Sequence, residues 1–232
     1  MRAELPSGRH PATVQQTLQP CRSPGALPLL SLLCCACCLG PAIAGQLDDE
    51  APAELLSTRL DNGLQVTILP DPESRFVATN LWYHVGSANE QTSSRGFAHL
   101  FEHLMFGDTK TYGKREYAAL HHRFGGYENA YTTFDETVYI SEITPGQHRR
   151  VLEMEADRMV NLVLSQENLD NEKRIVSEEI RASLENDPFA RIMRATLEAV
   201  LGDHPYGHPP AGTREDVAAA TLERVVAGTA VQ

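Results

Sequence analysis

At 232 residues the chain is long enough for one large domain or two small ones, and its 42% hydrophobic and 22% charged residues are an ordinary globular composition. The formal net charge is −11, and because residues 1–45 hold three basic and one acidic side chain, the excess of acidic groups belongs to the remainder. An acidic chain of this kind argues against nucleic acid or an anionic membrane surface as the partner.

Residues 1–44 are predicted to be a secretory signal peptide. Three arginines precede an apolar run, Ala26–Leu39, which is followed by the small-x-small pattern of Ala42-Ile43-Ala44. At 14 residues the run is too short to span a bilayer, so a cleaved signal is the preferred interpretation. A lipoprotein signal that ends at one of the cysteines and leaves a lipid anchor is the alternative.

All five cysteines lie in this leading segment: Cys21, Cys34, Cys35, Cys37 and Cys38. The mature part, starting at about Gly45, is therefore expected to be free of cysteine, which excludes a cysteine nucleophile. This suits an exported protein, most simply a periplasmic one, and after signal cleavage no stable membrane span is expected.

We predict a linker over residues 45–56 and one domain over residues 57–232. The Asn62-Gly63 turn precedes alternating Val66 and Ile68, the pattern of a strand, and Phe76 to Val85 is predicted as a second strand. Apolar residues at helical spacing then predict a helix that starts after Ser93 or Ser94 and ends near Gly107.

The second half of the domain is predicted to be rich in helices. A helix from Lys114 to Phe124 is followed by two strands around Phe134-Asp135. Three longer helices and a short last one come next, and the predicted ranges of the long ones are Pro145 to Leu164, Gln166 to Glu185 and Phe189 to Leu201. This order indicates an α+β fold in which a mixed β-sheet packs against helices.

The first predicted helix carries the sequence His99-Leu100-Phe101-Glu102-His103. Residues four apart lie on one face of a helix, so His99 and His103 are able to point at a common centre. Two neutral imidazoles suit zinc, and Glu102 projects toward the same side, where it is placed to take a proton from a water molecule. Chance pairs of histidines are common on helices, so a third ligand decides between a metal site and an ordinary amphipathic helix.

Candidate third ligands lie in the sequence "NLDNEKRIVSEEIRASLEND". Glu172 and Glu179 are two helical turns apart and share a face, whereas Glu178 is turned about 100° away from Glu179. Taken alone, these residues would most simply be a solvated acidic face. Together with the histidine helix, Glu172 and Glu179 are typical of one metal ligand and one supporting carboxylate.

Five stretches in this order resemble the pitrilysin or insulinase family of zinc metallopeptidases, which carry the inverted motif H-x-x-E-H, and especially its processing-peptidase-like bacterial branch. The resemblance runs from about Leu60 to Ala220. The stretches are "NGLQVTILPD", "VGSANEQTSSRGFAHLFEHLMFGDT", "FGGYENAYTTFDETVYI", "NEKRIVSEEI" and "HPYGHPPAGTREDVAAAT".

The resemblance implies a role for each matching residue in a zinc-dependent endopeptidase with one Zn²⁺ per chain. His99, His103 and Glu179 would be the metal ligands, Glu102 the general base, and Glu172 a carboxylate that orients a histidine or the water of the site. Asn129 and Ala130 match the strand whose edge holds an extended peptide substrate by backbone pairing.

Members of that family continue beyond the equivalent of Ala220 into the rest of the domain and a second, similarly folded domain. We therefore expect residues 57–232 to be an N-terminal domain truncated at its C-terminal end, or one completed by another polypeptide. The alternative to a peptidase is a subunit that folds its metal site but has no activity without a partner. His204 and His208 lie in a loop rich in proline and glycine and are expected to be structural.

Overall fold

The computed structural model describes residues 54–229, and over these residues the fold is α+β, as predicted. The strands are β1 (Leu56–Arg59), β2 (Gln65–Ile68), β3 (Val77–Tyr83), β4 (Tyr127–Thr132) and β5 (Thr137–Ile143). The α-helices are α1 (Phe97–Met105), α2 (Lys114–Arg123), α3 (His148–Asn161), α4 (Gln166–Asn186), α5 (Pro188–Leu201), α6 (Arg214–Ala218) and α7 (Leu222–Thr229). The predicted signal peptide and all the cysteines lie outside the described residues.

Both sheets of the described part are antiparallel, which corrects the prediction of a mixed sheet. β1 and β2 form a hairpin around Asn62-Gly63, and the second sheet has the order β3-β5-β4. β4 and β5 are joined by only a few residues, Thr133–Glu136, and so short a connection reverses the chain and forces antiparallel pairing. β4 is thus an edge strand among the strands described.

The main core joins α1 to α4. Leu100 of α1 is fully buried, as are Leu169 and Val176 of α4, and Val217 of α6 belongs to the same cluster. A second, smaller cluster joins β5 to α2 and α3 through Ile143, Leu120, Val151 and Met154. The two helices α1 and α4 are therefore held side by side by buried apolar surface.

Three predicted boundaries differ from the structure. β1 begins at Leu56, inside the predicted linker. All its residues are exposed, so it lacks the alternation of buried and exposed residues that predicts a strand. The second strand is shorter than predicted, since β3 spans Val77–Tyr83. The single short helix predicted at the end is two helices, α6 and α7.

No helix within residues 54–229 combines the length and the apolar character needed to cross a bilayer.

Candidate metal centre

α1 directs its apolar residues and its histidines to different sides. Leu100 and Leu104 are buried in the core, whereas the side chains of His99 and His103 remain 12% and 20% exposed. The two imidazole rings meet edge to face with their centroids 4.9 Å apart. The spacing of four residues therefore brings two nitrogen ligands together on one helical face.

Glu179 of α4 meets this pair of histidines. Its Oε1 lies 3.7 Å from His99 Nε2 and its Oε2 lies 3.3 Å from His103 Nε2. One ligand atom from each of the three residues falls within 4.8 Å of the others, and we call His99, His103 and Glu179 the metal centre. Ligand atoms around a tetrahedral zinc ion at ordinary bond lengths lie ~3.3 Å apart, so the donor types and their spacing fit zinc.

Glu172 lies near Nδ1 of His103, the ring nitrogen that does not face Glu179. His103 Nδ1 lies 3.5 Å from Glu172 Oε2, and the ammonium of Lys114 donates a hydrogen bond of 2.6 Å to Glu172 Oε1. Burial would raise the pKa of Glu172, but hydrogen bonds from His103 and Lys114 lower it to about 2. An ionised carboxylate at Nδ1 favours the tautomer of His103 that keeps Nε2 free for a metal ion.

The pKa values of the two histidines shift in opposite directions. Burial works to lower the pKa of His103, but Glu172 and Glu179 outweigh it and raise that pKa to about 9. Burial lowers the pKa of His99, with Glu179 opposing, so this imidazole tends to stay neutral. His99 Nδ1 is buried and accepts or donates no hydrogen bond within the described part of the chain.

Glu102 lies beside the metal centre without belonging to it. Its side chain is buried and its Oε2 accepts a hydrogen bond of 2.5 Å from Thr132 Oγ1 of β4. Burial raises the pKa of Glu102, while Thr132 and His103 act in the opposite direction. A carboxylate with a raised pKa takes up a proton more readily, which is the property a general base needs.

Asn129 and Ala130 lie on β4, the strand that also carries Thr132. Asn129 is exposed and pairs with Ile140, and Ala130 pairs with Tyr139. The other edge of β4 pairs with no strand among residues 54–229. A free strand edge thus leads toward Glu102 and the metal centre.

Three residues next to the site were missed by the sequence analysis: Lys114, Thr132 and Glu90. Lys114 reaches Glu172 and Thr132 reaches Glu102, in both cases across elements distant in the sequence. Thr132 lies on the strand that the family resemblance assigns to substrate binding. That assignment is the one sequence signal that points to Thr132. His204 and His208 do not join the metal centre; His204 stacks edge to face on Tyr206, and His208 is buried near Glu90.

The comparisons with known proteins agree on one family. The family model described as Insulinase (Peptidase family M16) matches residues 65–214. The zinc protease PqqE of Helicobacter pylori is 33% identical over 170 residues, which are 73% of this chain and 38% of that protein. An uncharacterized zinc protease of Bacillus subtilis, YmxG, is 31% identical over 157 residues, 68% of this chain and 38% of its own length.

Solved structures give the same answer. A protease from Helicobacter pylori superposes with a TM-score of 0.72 at 30% identity, covering 77% of this chain and 43% of that chain. The periplasmic protease PqqL from Escherichia coli gives 0.68 at 29% identity, covering 76% and 20%. The chain spans less than half the length of the curated relatives that it matches. By its sequence and by its fold, the chain belongs to the insulinase family of peptidases.

Proposed function

We propose that this chain carries the zinc site of an endopeptidase that hydrolyses peptides or unfolded polypeptides, with Glu102 as the general base. The observation that carries the proposal is the meeting of His99, His103 and Glu179 from two helices, with the buried carboxylate of Glu102 beside them. The names of the related zinc proteases support the choice of metal.

Each residue of the site has one role in the proposed reaction. His99, His103 and Glu179 hold the zinc ion, and Glu172 fixes the ring of His103. Zinc, when bound, supplies a Lewis acid that makes a water molecule more acidic and polarises the carbonyl of the peptide bond. Glu102 accepts a proton as the water oxygen adds to the carbonyl carbon, and passes it to the amine nitrogen when the carbon–nitrogen bond breaks.

Two features support an extended peptide as the substrate. The free edge of β4, at Asn129 and Ala130, offers backbone groups that a peptide strand is able to pair with. A cavity of about 280 Å³ opens beside Glu179 between α4, α5 and residues 209–212, and Leu184, Phe189 and Met193 line it. An apolar cavity next to the reacting bond suits a hydrophobic side chain of the substrate.

The test combines metal analysis with a peptide assay. The purified chain should bind one zinc ion and cleave an internally quenched peptide, and a chelator should stop the cleavage. Glu102→Gln should keep the zinc and lose the cleavage, because the amide cannot accept the proton. Full activity of Glu102→Gln, with contaminating proteases excluded, would remove Glu102 from its role.

A second candidate function is a zinc-binding subunit that needs a partner for turnover. It is favoured by the lengths of the relatives, of which this chain covers 38%. In this case the purified chain binds zinc but leaves the peptide intact until a second homologous domain or subunit is added.

The likeness to PqqL, a periplasmic protease, supports an exported location for this chain. Fractionation of cells that produce the protein should then recover it outside the cytoplasm, and recovery in the cytoplasmic fraction alone would contradict export.

A further inference from the structure

The helix that carries both histidines begins without a cap of its own. Its N-cap residue is Gly96, which has a left-handed φ of 83° and no side chain. Glu90 fills the role from six residues earlier: one carboxylate oxygen accepts the backbone N–H of Gly96 and the other that of Ala98, each at 2.8 Å. A carboxylate at the start of a helix satisfies free N–H groups and complements the helix dipole.

A loop from the far end of the domain closes over this cap. A Cβ atom on Gly96 would lie 2.5 Å from the carbonyl oxygen of Ala211, and one on Gly212 would lie 2.7 Å from that of Arg95. The backbones of the loop and of the helix start are therefore in direct contact. His208, in the same loop, places its Nε2 3.9 Å from Glu90 Oε2, and both side chains are only 6% exposed.

The burial of the Glu90 carboxyl group at this cap costs free energy. Burial raises the pKa of Glu90 to about 7, even though the N–H groups of Ala98 and Gly96 lower it. A buried carboxyl group that must be desolvated costs stability. A side chain at the N-cap itself is excluded, because Gly96 has a left-handed φ and its Cβ would lie 2.5 Å from the carbonyl oxygen of Ala211. Glu90 therefore supplies from outside the helix the cap that position 96 is unable to carry.

The cap by Glu90 bears on the position of His99. The ring of His103 is oriented by Glu172, but His99 Nδ1 has no hydrogen-bond partner among the described residues. The placement of His99 thus depends on its backbone, and the capped amide of Ala98 belongs to the residue directly before it. A shift of the first turn of α1 would move His99 relative to Glu179 on α4.

We propose that Glu90 is a positioning residue for the metal centre, and that the loop of residues 207–212 holds it in place. We call Glu90 and this loop the α1 clamp. The clamp sets the distance between His99 and Glu179, so this inference rests on the proposed zinc site. It gives the His-Pro-Tyr-Gly-His-Pro-Pro segment a role that involves no metal ligand.

The test is Glu90→Gln, which keeps the shape of the side chain but leaves one oxygen to accept a single N–H. The zinc affinity of the purified chain, measured by competition with a chelating dye, should fall by roughly tenfold, as it does when residues that support a ligand are changed. The visible spectrum of the cobalt(II)-substituted chain should change as well, because His99 is displaced. Glu73→Gln, which removes one exposed carboxylate before β3, is the matched control and should match the wild type.

Hydrogen exchange of the metal-free chain tests the cap independently of zinc. Glu90 accepts the amides of Gly96 and Ala98. One of these amides should lose protection in Glu90→Gln, because glutamine keeps a single acceptor oxygen, and both should keep it in Glu73→Gln. A folded Glu90→Gln chain with unchanged zinc affinity and an unchanged cobalt spectrum would overturn the clamp.

Two further results separate the possibilities. A wild-type chain that binds no zinc contradicts the proposed function, whereas normal zinc binding in both the wild type and Glu90→Gln contradicts only the clamp. If Glu90→Gln does not fold, His208→Gln, which leaves both cap hydrogen bonds in place, is measured instead. Its zinc affinity should fall by a smaller factor, and an unchanged value would overturn the clamp.

Discussion

Thr132 and Glu102 come from different elements, yet the Thr132 hydroxyl donates to the carboxylate of Glu102 at 2.5 Å. The hydroxyl of Thr137 donates to the carbonyl of Val85, which ties β5 to the end of β3. A buried carboxylate held by one neutral donor keeps its orientation while retaining a free oxygen. The side chain of Thr132 is therefore expected to orient Glu102, the proposed general base.

Thr132→Val is the corresponding prediction, because valine keeps the shape of threonine and removes the hydroxyl. We expect kcat for peptide hydrolysis to fall roughly tenfold, a part of the 10²–10⁴-fold that a general base contributes, with KM and zinc content unchanged. Thr132→Ser, which restores the hydroxyl, should recover most of the rate. An unchanged kcat in Thr132→Val would show that Glu102 needs no such support.

Lys114, together with His103, lowers the pKa of Glu172 and so favours its ionised form. Lys114→Met removes that charge and should weaken zinc binding by up to about tenfold, since Glu172 would orient His103 less firmly. Chelator competition measures the effect. Lys110→Met removes an exposed charge nearby and should leave the affinity at the wild-type value; equal losses in both variants would point to a general charge effect instead.

At the scale of elements, the helices followed from the sequence more closely than the contacts between them. α1 and α2 begin and end near their predicted positions, and α4 and α5 are separated at Asp187-Pro188, between the two predicted helical ranges. Periodicity records which face of an element is buried, and a proline removes a backbone donor, so both signals are local. β1 was missed because its exposed residues carry no such pattern.

The prediction of the site was likewise limited to signals within one element. His99, Glu102 and His103 were predicted as a group because they share one helix, and Glu172 and Glu179 became candidates because they share another. The choice of Glu179 as the ligand came from the family resemblance. Lys114 and Thr132 contribute through side chains that cross between elements, and no local spacing encodes such a crossing. Glu90 is close to α1 in sequence, but its hydrogen bonds to Gly96 and Ala98 depend on the turn between them, which no residue spacing encodes.

Leu100 tests how much the contact between α1 and α4 stabilises the domain. It is completely buried, and Leu100→Ala should lower the free energy of unfolding by about 2–5 kcal/mol, since it removes apolar contacts and leaves a cavity. Urea denaturation measures the change. The same substitution at Leu152 of α3, which is 46% exposed, should cost about 1 kcal/mol, and comparable losses at the two positions would contradict the described core.

For the molecule as a whole, the metal centre links α1 and α4, the two helices that the main core joins. His99 and His103 stand on α1 and Glu179 stands on α4, so an ion bound there connects helices that otherwise meet through apolar side chains. Anything that binds the folded state and not the unfolded state raises the free energy of unfolding. Zinc is therefore expected to act on the stability of the entire domain.

Glu179→Gln makes this expectation measurable. Zinc at a hundred times its Kd should raise the free energy of unfolding of the wild-type chain by about 2.7 kcal/mol, and EDTA should abolish the increase. The side chain of Glu179 is 53% exposed, so Glu179→Gln should leave the metal-free stability nearly unchanged while removing most of the response to zinc. Glu178→Gln, one residue earlier and paired with Arg181 on the exposed side of α4, should respond to zinc like the wild type. A full response in Glu179→Gln would place the stabilising ion elsewhere and separate the stability of the fold from the metal centre.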